Sequence, residues 1–512
     1  MSIHLCSNLT YFFLLHIQGI YMKREYWFLL VITLIGLFLR FASLTIGFTL
    51  QGNLDVSLFP DEANFLVSAR YFYVGAFPPF YLYYHNSLVL SPLISGLYSL
   101  FGVTAFSGRF LSALLGTLTV PLMYFLGKEL FKNEKKALLT AFLLSLSFIH
   151  RFWTIRALAD GPLTFFFVLS IYIFIRGIHN EDWRLYILAG ISTTITILIK
   201  YPGILVYLII FFYIIFSIYL KYISKRALLY YLLTIGIFAF TAVTLLLSQF
   251  ALAFQPLDQI FNFLDILFSG GSNPLFYIFY SLFLDIIWAL LIFAILGVVL
   301  LYSIKQHKKA DVFILSWLAV VFIFFSFFGE SELYRYLLPA IPAVYLLISN
   351  FFIDLIQKFR VSIRQFKFSK NSAIALLLII VLGGFATTEL VIGESLIVKR
   401  STTYSGIHHM SMWLNANGTQ SEGVMAPSNA IAQIDFYTNN NFEYFELSRE
   451  NSEAAIYNYI QTKNISYIIL SEHFPETLSL SIYSIIPSNT THYTLNNTYS
   501  DGKFLTYLYV VI

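Results

Sequence analysis

The stretch Phe59-Pro60-Asp61-Glu62-Ala63-Asn64 decides how this chain is read. Two adjacent carboxylates stand at a proline-marked corner, in the first polar interval after the first long apolar run. Around that corner the 512 residues are 58% hydrophobic and only 11% charged, with mean hydropathy +0.75. A water-soluble chain of this length would carry far more surface charge. Apolar runs of about 18 or more residues recur, which indicates membrane-spanning helices and excludes an ordinary soluble enzyme. A charged corner set against so much hydrocarbon calls for a chemical reason.

The chain has one cysteine, Cys6, so no intrachain disulfide can form. No P-loop, Gly-rich dinucleotide fingerprint, Cys/His metal spacing, internal repeat or nucleic-acid patch is visible. Residues 5–21 are apolar but lack the basic flank and small-residue cleavage site of a signal peptide. Met22-Lys23-Arg24 before an apolar run reads as a natural start, leaving residues 1–26 as a cytoplasmic or interfacial segment.

Hydropathy places spans at residues 27–50, 106–127, 137–150, 161–176, 185–199, 203–220, 228–250, 275–302, 312–328, 336–352 and 372–392, about eleven in all. Residues 87–101 form an apolar piece too short for an ordinary span and broken by Ser91-Pro92, Ser95-Gly96 and Ser99, which suits a helix lying at the interface. Kept outside, it completes a first external loop over residues 51–105. The intervals on the side of the N-terminus then hold 19 of the 31 Lys and Arg, whereas the opposite interval 251–274 holds none. The positive-inside rule makes the N-terminus cytoplasmic and puts the Asp61-Glu62 corner outside.

Residues 27–398 are thus expected to form an all-α polytopic membrane domain. Residues 399–512 turn polar, with short alternating apolar runs. Residues 466–470 and 504–512 read as strands, and 405–414 and 450–463 as helices. This predicts a small extracytoplasmic α/β domain, with sequons at Asn417, Asn464, Asn489 and Asn496.

Several motifs on the outer side carry a resemblance. Phe59-Pro60-Asp61-Glu62, Ala69-Arg70, Leu100-Phe101-Gly102 and the run Arg109 to Val120 resemble the first-loop pattern of GT-C membrane glycosyltransferases. Arg156-Ala157-Leu158-Ala159-Asp160-Gly161-Pro162 is similar to their second external loop, and Lys200-Tyr201-Pro202-Gly203 and Arg335-Tyr336-Leu337-Leu338-Pro339 to two later motifs. Protein O-mannosyltransferases and the transferases that add aminoarabinose to lipid A are the members it resembles most. The resemblance implies a GT-C fold and a polyprenyl-phosphate-linked sugar donor. It implies inverting transfer of that sugar to an acceptor hydroxyl on a protein, lipid or glycan at the outer face of a multi-pass membrane protein. It also implies that Asp61 is the catalytic base, with Glu62 beside it.

The residue types suit that chemistry. A carboxylate can take the proton of the attacking hydroxyl. A phosphate leaves as a stable anion and needs cations aimed at it rather than a general acid. Arg156, Lys200 and Arg335, with Asp160 among them, are the candidates for lipid-phosphate and donor binding. Local alternatives stay open: Arg156 and Asp160 are spaced to pair on a helix, Lys200 to snorkel, and Arg335 to pair with Glu330 or Glu332. His85 falls near a position where some members hold a glutamate thought to bind metal, which leaves room for a divalent cation. A second class, a transporter or flippase for a lipid-linked saccharide, also fits intramembrane charge. It would be expected to show the inverted repeats that are absent here.

Overall fold

The computed structural model describes residues 23–45, 48–49, 52–53, 57–78, 89–247, 309–328, 334–362, 383–393, 395, 403–474, 477–501 and 503–512. The membrane part is helical. Arg24–Leu44, Ala105–Phe131, Asp160–Asn180 and Tyr201–Tyr219 are each long and apolar enough to cross a bilayer. The bent pair Glu134–Leu146 and Phe148–Thr154 makes a fifth if counted as one span. Leu90–Phe101, Trp183–Ile199, Arg226–Thr241 and Leu338–Asp354 are apolar but shorter. The chain is a multi-pass membrane protein in which four or five described helices meet the length and apolarity of a span. The sequence reading expects about eleven. Of these, 275–302 lies outside the described residues and 372–392 is described only from residue 383.

Two boundaries differ from expectation. The first helix stops at Thr45, and the short antiparallel pair β1 (Phe48–Thr49) and β2 (Gly52–Asn53) follows it. The segment expected as one span at 137–150 breaks at Ser147. There the chain turns extended (φ −49°, ψ 116°) and the Phe148–Thr154 helix leaves at 57°. Polar chemistry explains the break. The turn buries His150, Arg151 and Thr154 against the interior face of the first helix. Arg40, placed by hydropathy inside the first span, is fully buried. It donates to Gly36 O (2.9 Å), Thr154 Oγ1 (3.2 Å) and His150 Nδ1 (2.7 Å). An arginine at membrane depth is costly unless it faces protein and its donors are met. These bonds give each guanidinium nitrogen one acceptor.

The apolar piece expected at 87–101 forms the helix Leu90–Phe101. Its 12 residues extend about 18 Å, well short of the hydrocarbon core. It packs on the Pro60–Tyr73 helix, where Tyr98 Oη donates to Leu66 O (2.9 Å) and Ser91 Oγ to Phe65 O (3.3 Å). Both helices pack against the Ala105–Phe131 helix.

The C-terminal part is a five-stranded sheet in the order β4-β3-β5-β7-β6. Its strands are β3 (Gly423–Ala426), β4 (Glu443–Glu446), β5 (Ile465–Ser471), β6 (Tyr493–Ser500) and β7 (Leu505–Val511). β4, β3 and β5 are parallel, with the helices Ser428–Thr438 and Glu453–Thr462 as crossovers, and β7 and β6 close the sheet antiparallel. Alternation along the strands feeds two cores. Val424, Tyr467 and Ile469 face the helix Ser405–Asn417 and the Ser428–Thr438 helix, whereas Met425, Ile468 and Leu470 face Ile456, Ile460 and Ile482. β5, β7 and both expected helices lie where the sequence reading has them. β3, β4, β6 and the Ser428–Thr438 helix are not anticipated there.

Close helix approach depends on Gly116, where a Cβ would stand 2.5 Å from Thr154 Cβ. That atom is anchored to backbone and cannot swing aside. Gly116→Ala is therefore expected to cost about 1–3 kcal/mol by overpacking, read as a lowered midpoint of thermal unfolding in detergent.

Candidate active site

The corner quoted from the sequence is the first turn of the Pro60–Tyr73 helix. Pro60 occupies the first helical position, where its missing N–H costs nothing. Phe59 N donates to Glu62 Oε2 (3.3 Å), and Ala63 N closes the first helical bond to Phe59 O (3.0 Å). Neighbours on a helix point about 100° apart, so the two carboxylates face different surroundings.

Glu62 turns inward and is fully buried. Arg109, near the start of the Ala105–Phe131 helix, grips it with two bonds: Nε to Oε1 at 2.6 Å and Nη2 to Oε2 at 3.0 Å. The backbone N–H of Ala157 donates to Oε1 (2.9 Å). The Arg156 guanidinium lies 3.9 Å from Oε2 and 3.9 Å over the Phe59 ring. Burial pushes the Glu62 carboxyl up, but Arg109, Arg156 and the Ala157 N–H outweigh it and hold the group below the ordinary glutamate range. One carboxylate thus ties together the Pro60–Tyr73 helix, the Ala105–Phe131 helix and the loop before Asp160.

Asp61 turns the other way and keeps 35% of its side-chain surface exposed. Its Oδ2 lies 2.6 Å from Arg335 Nη2. Arg335 belongs to the 3₁₀ segment Tyr334–Ala340, and its guanidinium lies 5.9 Å from the Trp153 ring centre and 5.6 Å from that of Tyr336. Tyr336 is shared with Lys200, whose Nζ is 4.9 Å from the same ring and donates to Asp160 Oδ1 at 2.8 Å. Lys200 sits in extended backbone just past the Trp183–Ile199 helix, and Asp160 opens the Asp160–Asn180 helix. The result is a corner with two ion pairs, Asp61–Arg335 and Lys200–Asp160, linked through Tyr336. Both cations are mostly buried, with side-chain exposures of 14% for Arg335 and 19% for Lys200.

The sequence-expected residues Asp61, Lys200, Asp160 and Arg335 come together here. Glu62 and Arg156 meet behind them, in the buried clamp. Arg335 pairs with Asp61; Glu330 and Glu332, the acids the sequence suggested for it, and His85 lie outside the described residues. Among the described residues no three His, Cys, Asp or Glu side chains are grouped to hold a metal ion. Two features escaped sequence reading. Arg109 lay within a quoted motif without a role, although a charge opening an apolar helix was a signal. The contacts of the C-terminal domain with this corner had no signal in local sequence.

Residues 83–257 match the family described as dolichyl-phosphate-mannose-protein mannosyltransferase. An uncharacterized protein of Aquifex aeolicus is 29% identical over 261 residues, a match covering 50% of this chain and 50% of that protein. ArnT from Cupriavidus metallidurans, solved bound to undecaprenyl phosphate, superposes with TM-score 0.63 at 14% identity over 95% of this chain and 98% of that one. The oligosaccharyltransferase AglB from Archaeoglobus fulgidus, solved with an inhibitory peptide and a dolichol-phosphate, gives TM-score 0.57 at 12% identity over 94% and 74%. The chain has the GT-C fold of these enzymes and resembles the mannosyltransferase and ArnT proteins.

The clamp makes two measurable statements. Glu62→Gln strands Arg109 in a buried site and is expected to cost about 3–5 kcal/mol. Because the Glu62 value is lowered on folding, its contribution is complete at neutral pH and disappears as pH falls through that lowered value. Thermal unfolding in detergent between about pH 7 and pH 3 should show an acid limb in the wild type that is reduced in Glu62→Gln.

Proposed function

We propose that this protein is an inverting glycosyltransferase that moves a hexose or pentose from a polyprenyl-phosphate carrier to an acceptor hydroxyl at the outer face of the membrane. The observation that carries the reading is the partly open Asp61 carboxylate, held against Arg335 beside the Lys200–Asp160 pair. Support also comes from the match to the mannosyltransferase family and from the polyprenyl phosphates bound to ArnT and AglB, which share the fold.

In this reading the donor phosphate lies against Arg335 and Lys200, with Tyr336 between them. Phosphate competes with Asp61 and Asp160 for these cations, and the bidentate guanidinium of Arg335 suits a phosphate as well as a carboxylate. Asp61, loosened from Arg335, then accepts the proton of the acceptor hydroxyl. The hydroxyl oxygen attacks the anomeric carbon from the face opposite the phosphate. The bond from that carbon to the phosphate oxygen breaks, and its electron pair leaves on the polyprenyl phosphate. One displacement inverts the centre, as in the inverting arrangement of two groups on opposite faces of a sugar. The leaving charge is met by cations already in place, which is where most of the rate acceleration is expected. Glu62, with both oxygens engaged, positions the corner, and Arg156 serves with it rather than on the donor. The N-terminus is cytoplasmic and residues 399–512 are extracytoplasmic, the orientation the charge distribution favours.

Asp61→Asn keeps the size of the side chain and removes the base. Sugar transfer in membranes containing this variant should fall by about 10²–10⁴-fold, while undecaprenyl phosphate binding is kept or tightened, because Arg335 loses its competing carboxylate, each judged against the wild type. Lys200→Ala and Arg335→Ala should instead weaken undecaprenyl phosphate binding by about tenfold or more, measured on purified protein.

A further inference from the structure

The C-terminal α/β domain reaches the catalytic corner through one face of the Ser428–Thr438 helix. Leu58, three residues before Asp61, is held at both backbone groups from that helix. Its N–H donates to Tyr437 Oη (2.9 Å), and its carbonyl accepts from Gln433 Nε2 (2.5 Å). Ser57 Oγ accepts from the backbone N–H of Tyr404 (3.1 Å), and the Tyr404 ring meets Phe59 edge-on at 5.5 Å. On the other side of Asp61, two turns further along its helix, Arg70 donates to Asp435 Oδ1 (2.5 Å) and to Asp435 O (3.3 Å). Ala432 is buried in the same cluster as Leu58, Ala63, Leu66 and Val67, with Phe436 and Tyr437 packed against it.

Gln433 and Asp435 are fully buried. Gln433 Oε1 and Asp435 Oδ2 find no hydrogen-bond partner among the described residues. Burial also raises the Asp435 carboxyl, against the pull of Arg70. Buried polar groups left partly unmet weaken an interface compared with apolar packing. What they supply is direction: two bonds on the peptide groups that lead into the helix, and one on a side chain further along it.

We propose that the C-terminal domain is a positioning element of the transfer site, with Gln433, Tyr437 and Asp435 setting the place of Asp61 through Leu58 and Arg70. This rests on the reading of Asp61 as the base. None of the three touches a reacting atom; they act by fixing the entry of the helix that carries the carboxylate. Lys200, Asp160 and Arg335 sit on membrane-domain elements, whereas the helix that carries Asp61 is held from two sides, by the Glu62–Arg109 clamp of the membrane domain and by the Ser428–Thr438 helix. The donor phosphate is gripped by the membrane domain alone, and the C-terminal domain adds to the aim of the base. Disturbing the Gln433 contact is therefore expected to slow turnover and spare donor affinity. A misplacement of about 1 Å can cost on the order of 100-fold in rate.

The test uses full-length protein in lipid nanodiscs, comparing wild type with Gln433→Met, which keeps length and packing, and with Gln433→Met combined with Tyr437→Phe. Three quantities are read. They are amide exchange of peptides spanning residues 57–66, binding of undecaprenyl phosphate, and release of undecaprenyl phosphate from undecaprenyl-phosphate mannose in the presence of membrane extract. The expected result is exchange at 57–66 faster by about tenfold or more, release slower by about 10–100-fold, and binding within about twofold. Exchange in β5 and β7 should stay at the wild-type level, which separates lost aim from a lost fold. Unchanged exchange at 57–66 would overturn the proposal, as would faster exchange with undiminished turnover. If the wild type itself releases nothing from this donor, the donor assignment has failed. The exchange comparison then decides the positioning claim alone, with elevation supporting it.

Discussion

The buried Glu62–Arg109 pair is the interaction on which the rest of the site depends. A carboxylate with no exposed surface is tolerable only when its lone pairs are filled. Here they are filled by a bidentate arginine from a membrane helix, the Ala157 N–H from the loop before Asp160, and the Phe59 N–H of its own helix. Each partner comes from a different part of the chain. The pair therefore converts three separate segments into one rigid frame. Breaking it leaves a buried charge rather than a loose loop, which explains how a surface corner on a membrane protein keeps one geometry.

Asp61 is defined by contrast with its neighbour. The two carboxylates are adjacent in sequence, yet helical geometry sends one into the frame and the other to the open side. Of the two, it is the second that keeps open surface, with 35% of its side chain exposed. Its partner Arg335, and Lys200 with Asp160, place two cations and two carboxylates around one aromatic ring. The two described ion pairs give each cation a counter-ion, so both stand at a low-dielectric edge compensated. In the proposed reading a phosphate entering there exchanges one anion for another.

Much of this was legible in the sequence, for reasons that differ from place to place. The membrane class followed from hydropathy. The Leu90–Phe101 helix was readable as a piece apart from the spans because its length and its Ser and Gly interruptions do not suit one. Lys200, Asp160 and Arg335 stood out because charge at the edge of apolar helices needs a partner. The break at Ser147 was hidden, because its cause is a contact between Arg40 and His150, 110 residues apart. The division of labour between Asp61 and Glu62 was hidden for the same reason: which carboxylate turns inward depends on where Arg109 and Ala157 arrive in space. The short strands β3 and β4, four residues each, carry too little alternation to register against their flanks.

The central claim is that Arg335 and Lys200 receive a lipid-linked phosphate beside a base that Arg335 holds until then. A structure of the wild-type protein with undecaprenyl phosphate in a nanodisc tests this most directly. The phosphate is expected between Arg335 and Lys200, with the Asp61–Arg335 pair opened and the Glu62–Arg109 pair unchanged. A phosphate bound elsewhere, with Asp61 still paired to Arg335, would contradict it.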